Sequence, residues 1–305
     1  MFSIDKVKSF FKGNIMISEP LNKYTTIKIG GPADYFVEPL DREDLINLIK
    51  YLNEINYPKV IIGTGSNILI SDSGFRGCVI NLEHGFNKIK VEDTSVYAEA
   101  GVKLSKLVDV CLENSLIGIE TLAGIPGTLG GAIVMNAGAY GTEISNYITS
   151  VEVLVGEKIK KLTKLECGFG YRKSNLEKTI IISANFILPE GDKEKAKERR
   201  REFLKKRKES QPVDLPNAGS IFKNPQGMFA GKLIEDAGLK GLIIGGAKVS
   251  EKHGNFIVNF NNATSDDVIN LINVIQKEVY KKFGIKLELE IKLLGFKNKY
   301  DFVTI

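Results

Sequence analysis

Seven glycines fall between Gly118 and Gly141, interleaved with small and apolar residues. No other feature restricts the fold of this chain as much. A single turn needs one or two glycines. Seven of them keep side chains off the backbone over a long stretch, so that backbone packs against something broad and flat. The segment reads Glu120-Thr121-Leu122-Ala123-Gly124-Ile125-Pro126-Gly127-Thr128-Leu129-Gly130-Gly131-Ala132, then Met135-Asn136-Ala137-Gly138-Ala139-Tyr140-Gly141. Ile125, Leu129, Ile133 and Val134 within it require burial, which a glycine-rich surface loop would not give them.

A dinucleotide cofactor is an object of the required shape. A second glycine cluster supports that reading: Gly63-Thr64-Gly65-Ser66-Asn67, directly after the strand-like Val60-Ile61-Ile62. Glycines there allow a tight turn and close approach of backbone N–H groups to a phosphate. Taken alone, a plain strand–turn–strand connection explains the cluster equally well. It is not a Rossmann fingerprint, because Ile68 stands where the third glycine belongs and an apolar strand-like run follows. Nor is there a Walker A loop, since Lys232 is followed by Leu233.

Around these motifs, helices and strands mix without a repeated βα period, which predicts an α+β fold. Residues 41–55, 104–114, 192–209 and 228–237 carry helical patterns, as does the segment after Thr264-Ser265-Asp266-Asp267, a capping-box sequence; Gly238 and Gly284 terminate the last two helices. Strands are expected at 59–62, 68–70, 78–82, 88–100 around a turn at Glu92-Asp93, 150–162, 179–187 and 255–260. Residues 285–293 alternate apolar and charged, which predicts a half-buried strand with Glu288 and Glu290 on its charged face.

The formal net charge of +5 has one source: Lys193–Lys208 holds ten basic and three acidic residues, so the remainder is slightly acidic. Aromatic residues are scarce there and no nucleic-acid motif accompanies it. A solvated linker helix with Glu194, Glu198 and Glu202 facing bases is therefore favoured over a nucleic-acid patch. Three scattered cysteines and two histidines argue against a disulfide framework, a structural zinc site and a His-rich metal cluster; no metal is expected. Cys78, Cys111 and Cys167 read as small buried residues. No apolar run is long enough to span a bilayer and the first residues lack a secretory core, so no membrane association and a cytoplasmic location are expected. No oligomer is implied.

In order and spacing, GTGSNIL, ETLAGIPGTLGGAIVMNAGAYG, GYRKS, NAGSIFKNP, AGKLIEDAGLKG and SEKHGNFIVN resemble the successive signatures of the enolpyruvoylglucosamine reductases. Thr25-Thr26 with Ile29-Gly30-Gly31-Pro32-Ala33 resembles that family's opening motif, and the likeness runs from about residue 20 to Gly295. The resemblance implies a two-subdomain FAD-binding region of the vanillyl-alcohol-oxidase/PCMH type, at 14–85 and 86–191, then the linker helix 192–209 and a C-terminal α+β substrate domain at 210–300. It implies noncovalent FAD held by Gly63, Thr64, Gly65, Ser66, Asn67, Leu69, Ala123, Gly124, Pro126, Gly127, Gly130, Gly131, Asn136, Gly138 and Tyr140, with NADPH as hydride donor. It further implies UDP-N-acetylglucosamine enolpyruvate as substrate, contacted by Tyr171, Lys223, Asn224, His253 and Asn255.

Reducing an enol ether places negative charge beside a carboxylate, so the site needs a cation, an enolate stabiliser and a proton donor. Arg172 offers a planar, charged fork for a carboxylate. By resemblance, Ser220 is the proton donor, with Lys223 and Asn224 as helpers, and Glu290 the enolate stabiliser. Locally each has a plainer reading: a surface arginine, a serine in a glycine turn, and one of two equivalent glutamates. The chain resembles the shorter type of the family, because the strand at Thr179–Ile182 follows Ser174 too closely for an extra substrate-covering tyrosine loop. An FAD oxidase of the same fold and a basic nucleotide- or nucleic-acid-binding protein are the alternatives.

Overall fold

The structure, a computed structural model, describes residues 2–296. The first sheet has the strand order Asn14–Pro20, Pro32–Glu38, Phe75–Asn81, Lys59–Ile62. Its last three strands run parallel and Asn14–Pro20 is antiparallel to its neighbour. Helix Arg42–Glu54 covers it, started by Asp41, whose carboxylate accepts the Asp44 N–H at 3.0 Å. The second sheet is wholly antiparallel, in the order Lys158–Thr163, Ile148–Val155, Ile180–Ile187, Ser95–Glu99, Ile89–Glu92. The single strand expected at 150–162 is in fact a hairpin, turned at Gly156 with φ +62°. One apolar core runs continuously from Phe2 to Ala196, so the two sheets share an interior.

The last third forms an antiparallel sheet, Asn217–Ser220, Phe256–Asn259, Ala247–Val249, Ile243–Ile244, backed by helix Ser265–Phe283. That helix has the expected capping box, Thr264 with Asp267, and ends at Gly284 with φ +69°. The mixed architecture is α+β, as expected.

Residues 285–293 are not a continuous strand. Only Lys292–Leu294 pairs, parallel to Ile68–Ile70, and Leu289 makes one isolated bridge to Phe222. The alternation there reflects alternating burial of an irregular segment with Leu287, Ile291 and Leu293 inward. The consequence is topological. Lys292–Leu294 brings the chain back to the strand that follows Gly63–Asn67, and the Asn67 amide donates to the Glu290 carbonyl at 3.2 Å. Asp72 adds a second tie, accepting the Ser265 N–H at 2.7 Å and its hydroxyl at 2.9 Å.

Helix Lys193–Ser210 is not merely solvated. Ala196 is fully buried, and two of its arginines reach acids on other elements: Arg199 bonds Glu120 at 2.6 Å and Arg200 bonds Asp109. Of the three expected intrahelical glutamates, Glu194 pairs with Lys197 at 2.8 Å.

Candidate active site

A cavity open at its mouth lies between the two glycine segments and the C-terminal sheet. Gly63–Asn67 forms one wall and Ile125–Thr128 another, with Gly131, Met135 and Gly138 beyond. The walls are tied together: Ser66 donates to the Pro126 carbonyl at 2.5 Å. Thr26 joins the same loop to the C-terminal sheet, its N–H reaching the Gly65 carbonyl at 3.1 Å and its hydroxyl the Asn217 carbonyl at 2.6 Å.

The cavity suits a flavin nucleotide on two observations. A Cβ at Gly127 or Gly131 would meet nothing closer than 3.6 Å, so packing does not require glycine there; bare backbone keeps the space open. The buried hydroxyl of Thr64 and the side-chain oxygen of Gln211 both line the cavity without a hydrogen-bond partner, which costs free energy unless a ligand supplies one. Gly65 is different. Its φ is +60° and a Cβ would sit 2.1 Å from the Tyr24 carbonyl, so the glycine serves the turn itself.

The structure sorts the sequence-derived residues. Gly63, Thr64, Gly65, Ser66, Asn67, Pro126, Gly127, Gly131 and Gly138 line the cavity. The others do not line it. Leu69 is buried in the C-terminal core. Gly130 packs on Ala100, and Gly124 lies against Arg207. Ala123 packs on the main core, Asn136 is committed to Glu143 and Gly170, and Tyr140 lies against Phe203.

Arg172, Ser220 and Glu290 converge where this cavity meets a second one, and all three line both. Arg172 sits in a tight turn closed by a Gly170–Lys173 bridge, with φ +53°. Its guanidinium donates to Glu290 at 3.1 Å and to the Gly138 carbonyl at 2.8 Å. A non-glycine residue in that backbone region costs about 1–3 kcal/mol, and such strain concentrates at functional sites. Ser220 is presented by Gly219, φ +74°, at an irregularity in the pairing with Phe256–Asn259. Burial pushes the Glu290 carboxyl above its ordinary value, against the opposing pull of Arg172 and Lys223. Its neighbour Glu288 has a side chain 77% exposed against 16% for Glu290, and it reaches only Lys223, at 3.8 Å.

Tyr171, Asn224, His253 and Asn255 line the second cavity with Phe222, Phe229, Lys232 and Lys252. Lys223 lies outside it, beside Glu288. Asn255 has its amide occupied on both sides by the Phe222 backbone, at 2.9 and 2.7 Å, and Asn224 accepts the Ala230 N–H at 3.0 Å. Burial, with Lys240 nearby, holds His253 below the usual imidazole range. Phe229, 72% exposed, stands at the rim.

Family comparisons agree with this geometry. The family "UDP-N-acetylenolpyruvoylglucosamine reductase, C-terminal domain" matches residues 211–294 and "FAD binding domain" matches 33–157. A UDP-N-acetylenolpyruvoylglucosamine reductase from Caldanaerobacter subterraneus subsp. tengcongensis is 50% identical over 298 residues, covering 96% of this chain and 98% of its own. The chain belongs to the UDP-N-acetylenolpyruvoylglucosamine reductase family. A second such reductase, from Chloroherpeton thalassium, is 48% identical over 305 residues, covering 97% of this chain and 98% of its own. The crystal structure of the Thermus caldophilus reductase superimposes with a TM-score of 0.81 at 37% identity, over 93% of this chain and all of that one. The FAD-binding region and the reductase C-terminal domain account for the fold, and the chain is an FAD-containing oxidoreductase.

Sequence reasoning missed Arg207 and Gln211 in the first cavity of this reductase, and Lys232, Glu235 and Lys252 in the second. Arg207 was submerged in a run of like charges with nothing local to set it apart. Gln211 precedes Pro212, a pair whose local pattern marks only the end of a helix. Among the described residues no group of three or more His, Cys, Asp or Glu is placed to hold a metal, and no helix is long and apolar enough to cross a membrane. The cysteines are buried; burial raises Cys111 to about 12 and Cys167 to about 11, so neither is poised as a nucleophile.

Proposed function

We propose that this reductase converts the enolpyruvyl ether of UDP-N-acetylglucosamine to the lactyl ether, UDP-N-acetylmuramate, a step of cytoplasmic peptidoglycan-precursor synthesis, with NADPH as the source of hydride. The observation that carries the reading is the placement of Arg172, Ser220 and Glu290 at the junction of a glycine-walled cavity and a second, polar one. The first cavity takes FAD, held noncovalently over Gly63–Asn67 and Ile125–Thr128. The second takes the sugar nucleotide. FAD held there would supply, from NADPH, the hydride for the terminal carbon of the enolpyruvyl group.

The chain's own residues then handle charge and proton. Arg172 binds the substrate carboxylate and draws negative charge toward it. Glu290, whose buried carboxyl holds its proton more tightly than an exposed one, donates a hydrogen bond to the enolate as it forms. Ser220 supplies the proton to the adjacent carbon, and the resulting oxyanion is met by the cationic surroundings that Arg172 provides. In this reading the chain divides at 14–85, 86–191, the helix 192–209 and 210–300; positions 297–300 lie outside the described residues.

Purified protein should be yellow and release FAD on denaturation. Under anaerobic conditions NADPH should bleach it and the enolpyruvyl sugar nucleotide should restore the colour. Bleaching followed by recovery with oxygen alone would instead indicate an oxidase. A colourless protein that takes up no FAD would sink the proposal.

A further inference from the structure

The basic helix Lys193–Ser210 is the one charged element that the reaction leaves without a role. Its exposed lysines need none. Arg207 is not like them. It comes from the last turn of the helix into the wall of the FAD cavity, its Cδ packed 3.1 Å from where a Gly124 side chain would begin. Arg199 and Arg200 on the same helix are each matched by an acid on another element. Arg207 has no carboxylate partner among the described residues, and burial lowers its pKa with only the Tyr140 hydroxyl opposing. A guanidinium drawn out of water without an anion is costly.

Gln211, the C-cap residue one turn further on, lines the same cavity with its side-chain oxygen unpartnered, as does the Thr64 hydroxyl. Thr64 and Gln211 thus share one space with Arg207 and leave polar atoms unused there; the Gln211 oxygen is an acceptor and calls for a donor such as a ribose hydroxyl, so anion binding falls to Arg207.

We infer that Arg207 binds the pyrophosphate of FAD, so that the end of the basic helix closes the cofactor cavity. Only the pyrophosphate of that cofactor carries permanent negative charge, so only it offsets a half-buried unpaired cation. The substrate's diphosphate is the competing anion, but Arg207 is absent from the second cavity, where Lys232, Lys252 and His253 stand. The Gly63–Asn67 loop, tied to Pro126, is within the same cavity and offers N–H groups to the same phosphates.

This inference rests on FAD being the cofactor, and the test separates the two. Purified holoprotein is equilibrated against mixtures of FAD and riboflavin, and the bound ratio is read after removing free flavin. Riboflavin has the ring but no phosphate. Arg207→Gln should shift the affinity ratio about 10- to 100-fold toward riboflavin, the span expected for losing a charge-assisted hydrogen-bond pair. Arg207→Lys, which keeps the charge and loses the fork, should fall between, and added salt should shift the wild-type ratio more than the Arg207→Gln ratio. A ratio unchanged in both variants, meaning that FAD and riboflavin weaken together or not at all, would overturn the inference while leaving the cofactor reading standing. Wild-type protein that holds neither flavin would instead remove the cofactor reading itself.

Discussion

Two glutamates separated by one residue show what a side chain's role depends on. Glu288 and Glu290 are equivalent in the alternating pattern 285–293, and nothing local chooses between them. The fold does, by returning the chain beside Asn67 and turning Glu290 onto Arg172 while Glu288 stays in solvent. Glu290→Ala should therefore lower substrate-dependent reoxidation of the flavin about 10²- to 10³-fold, the usual cost of one donor to a developing oxyanion. Glu290→Gln, which keeps shape and a donor, should lose less, and Glu288→Gln should be close to wild type. A crippled Glu288→Gln beside an active Glu290→Ala in steady-state assays would reverse the assignment. The raised pKa of Glu290 adds a pH signature. The folded protein holds this proton more tightly than the unfolded chain. Its contribution to stability is full below the ordinary carboxylate value of 4.5 and is lost as pH rises through the raised one. Donation by the neutral acid weakens over that same interval. Melting curves and reoxidation rates from pH 4 to 8 should both show this limb in wild type, and Glu290→Gln should flatten it.

Among the elements, the glycine segments were legible as a cofactor wall because a density of seven glycines has few other physical causes. Which glycine does what was not legible. Gly65 looks shaped for a phosphate, yet its Cβ would collide with the Tyr24 carbonyl, whereas at Gly127 it would enter open cavity. Gly65→Val should therefore lower both melting temperature and flavin content, since it forces a β-branched residue to positive φ. Gly127→Val should keep the melting temperature of flavin-free protein and lose flavin alone; equal melting losses in both variants would contradict this division. The helix Ser265–Phe283 was readable in full, because its cap, apolar stripe and terminal glycine all act locally. Thr264→Ala should cost about 0.5–2 kcal/mol in urea unfolding by removing the bond to the Asp267 N–H. The segment 285–293 was not readable, because a strand exists only where a partner strand lies, and Ile68–Ile70 meets only its end. Arg207 was hidden for a related reason: a helix of uniform charge gives no sign of which position faces inward.

At the scale of the whole molecule, the C-terminal domain is what makes a flavin-binding fold into this reductase. Ser220 arrives on its sheet and Glu290 on the segment that returns beside Asn67, and both meet Arg172, from the turn at Gly170–Lys173, at the junction of the two cavities. The roles proposed for them divide the labour: flavin reduction by NADPH would need the cavity, and flavin reoxidation by the enol ether would need the junction residues as well. Stopped-flow absorbance of Ser220→Ala under anaerobic conditions measures the two halves apart. Reduction by NADPH should proceed at nearly the wild-type rate, and reoxidation by the enolpyruvyl sugar nucleotide should slow by about 10²- to 10⁴-fold, the usual contribution of a positioned general acid. Equal slowing of both halves, or reoxidation at the wild-type rate, would contradict the placement of Ser220 as the proton donor.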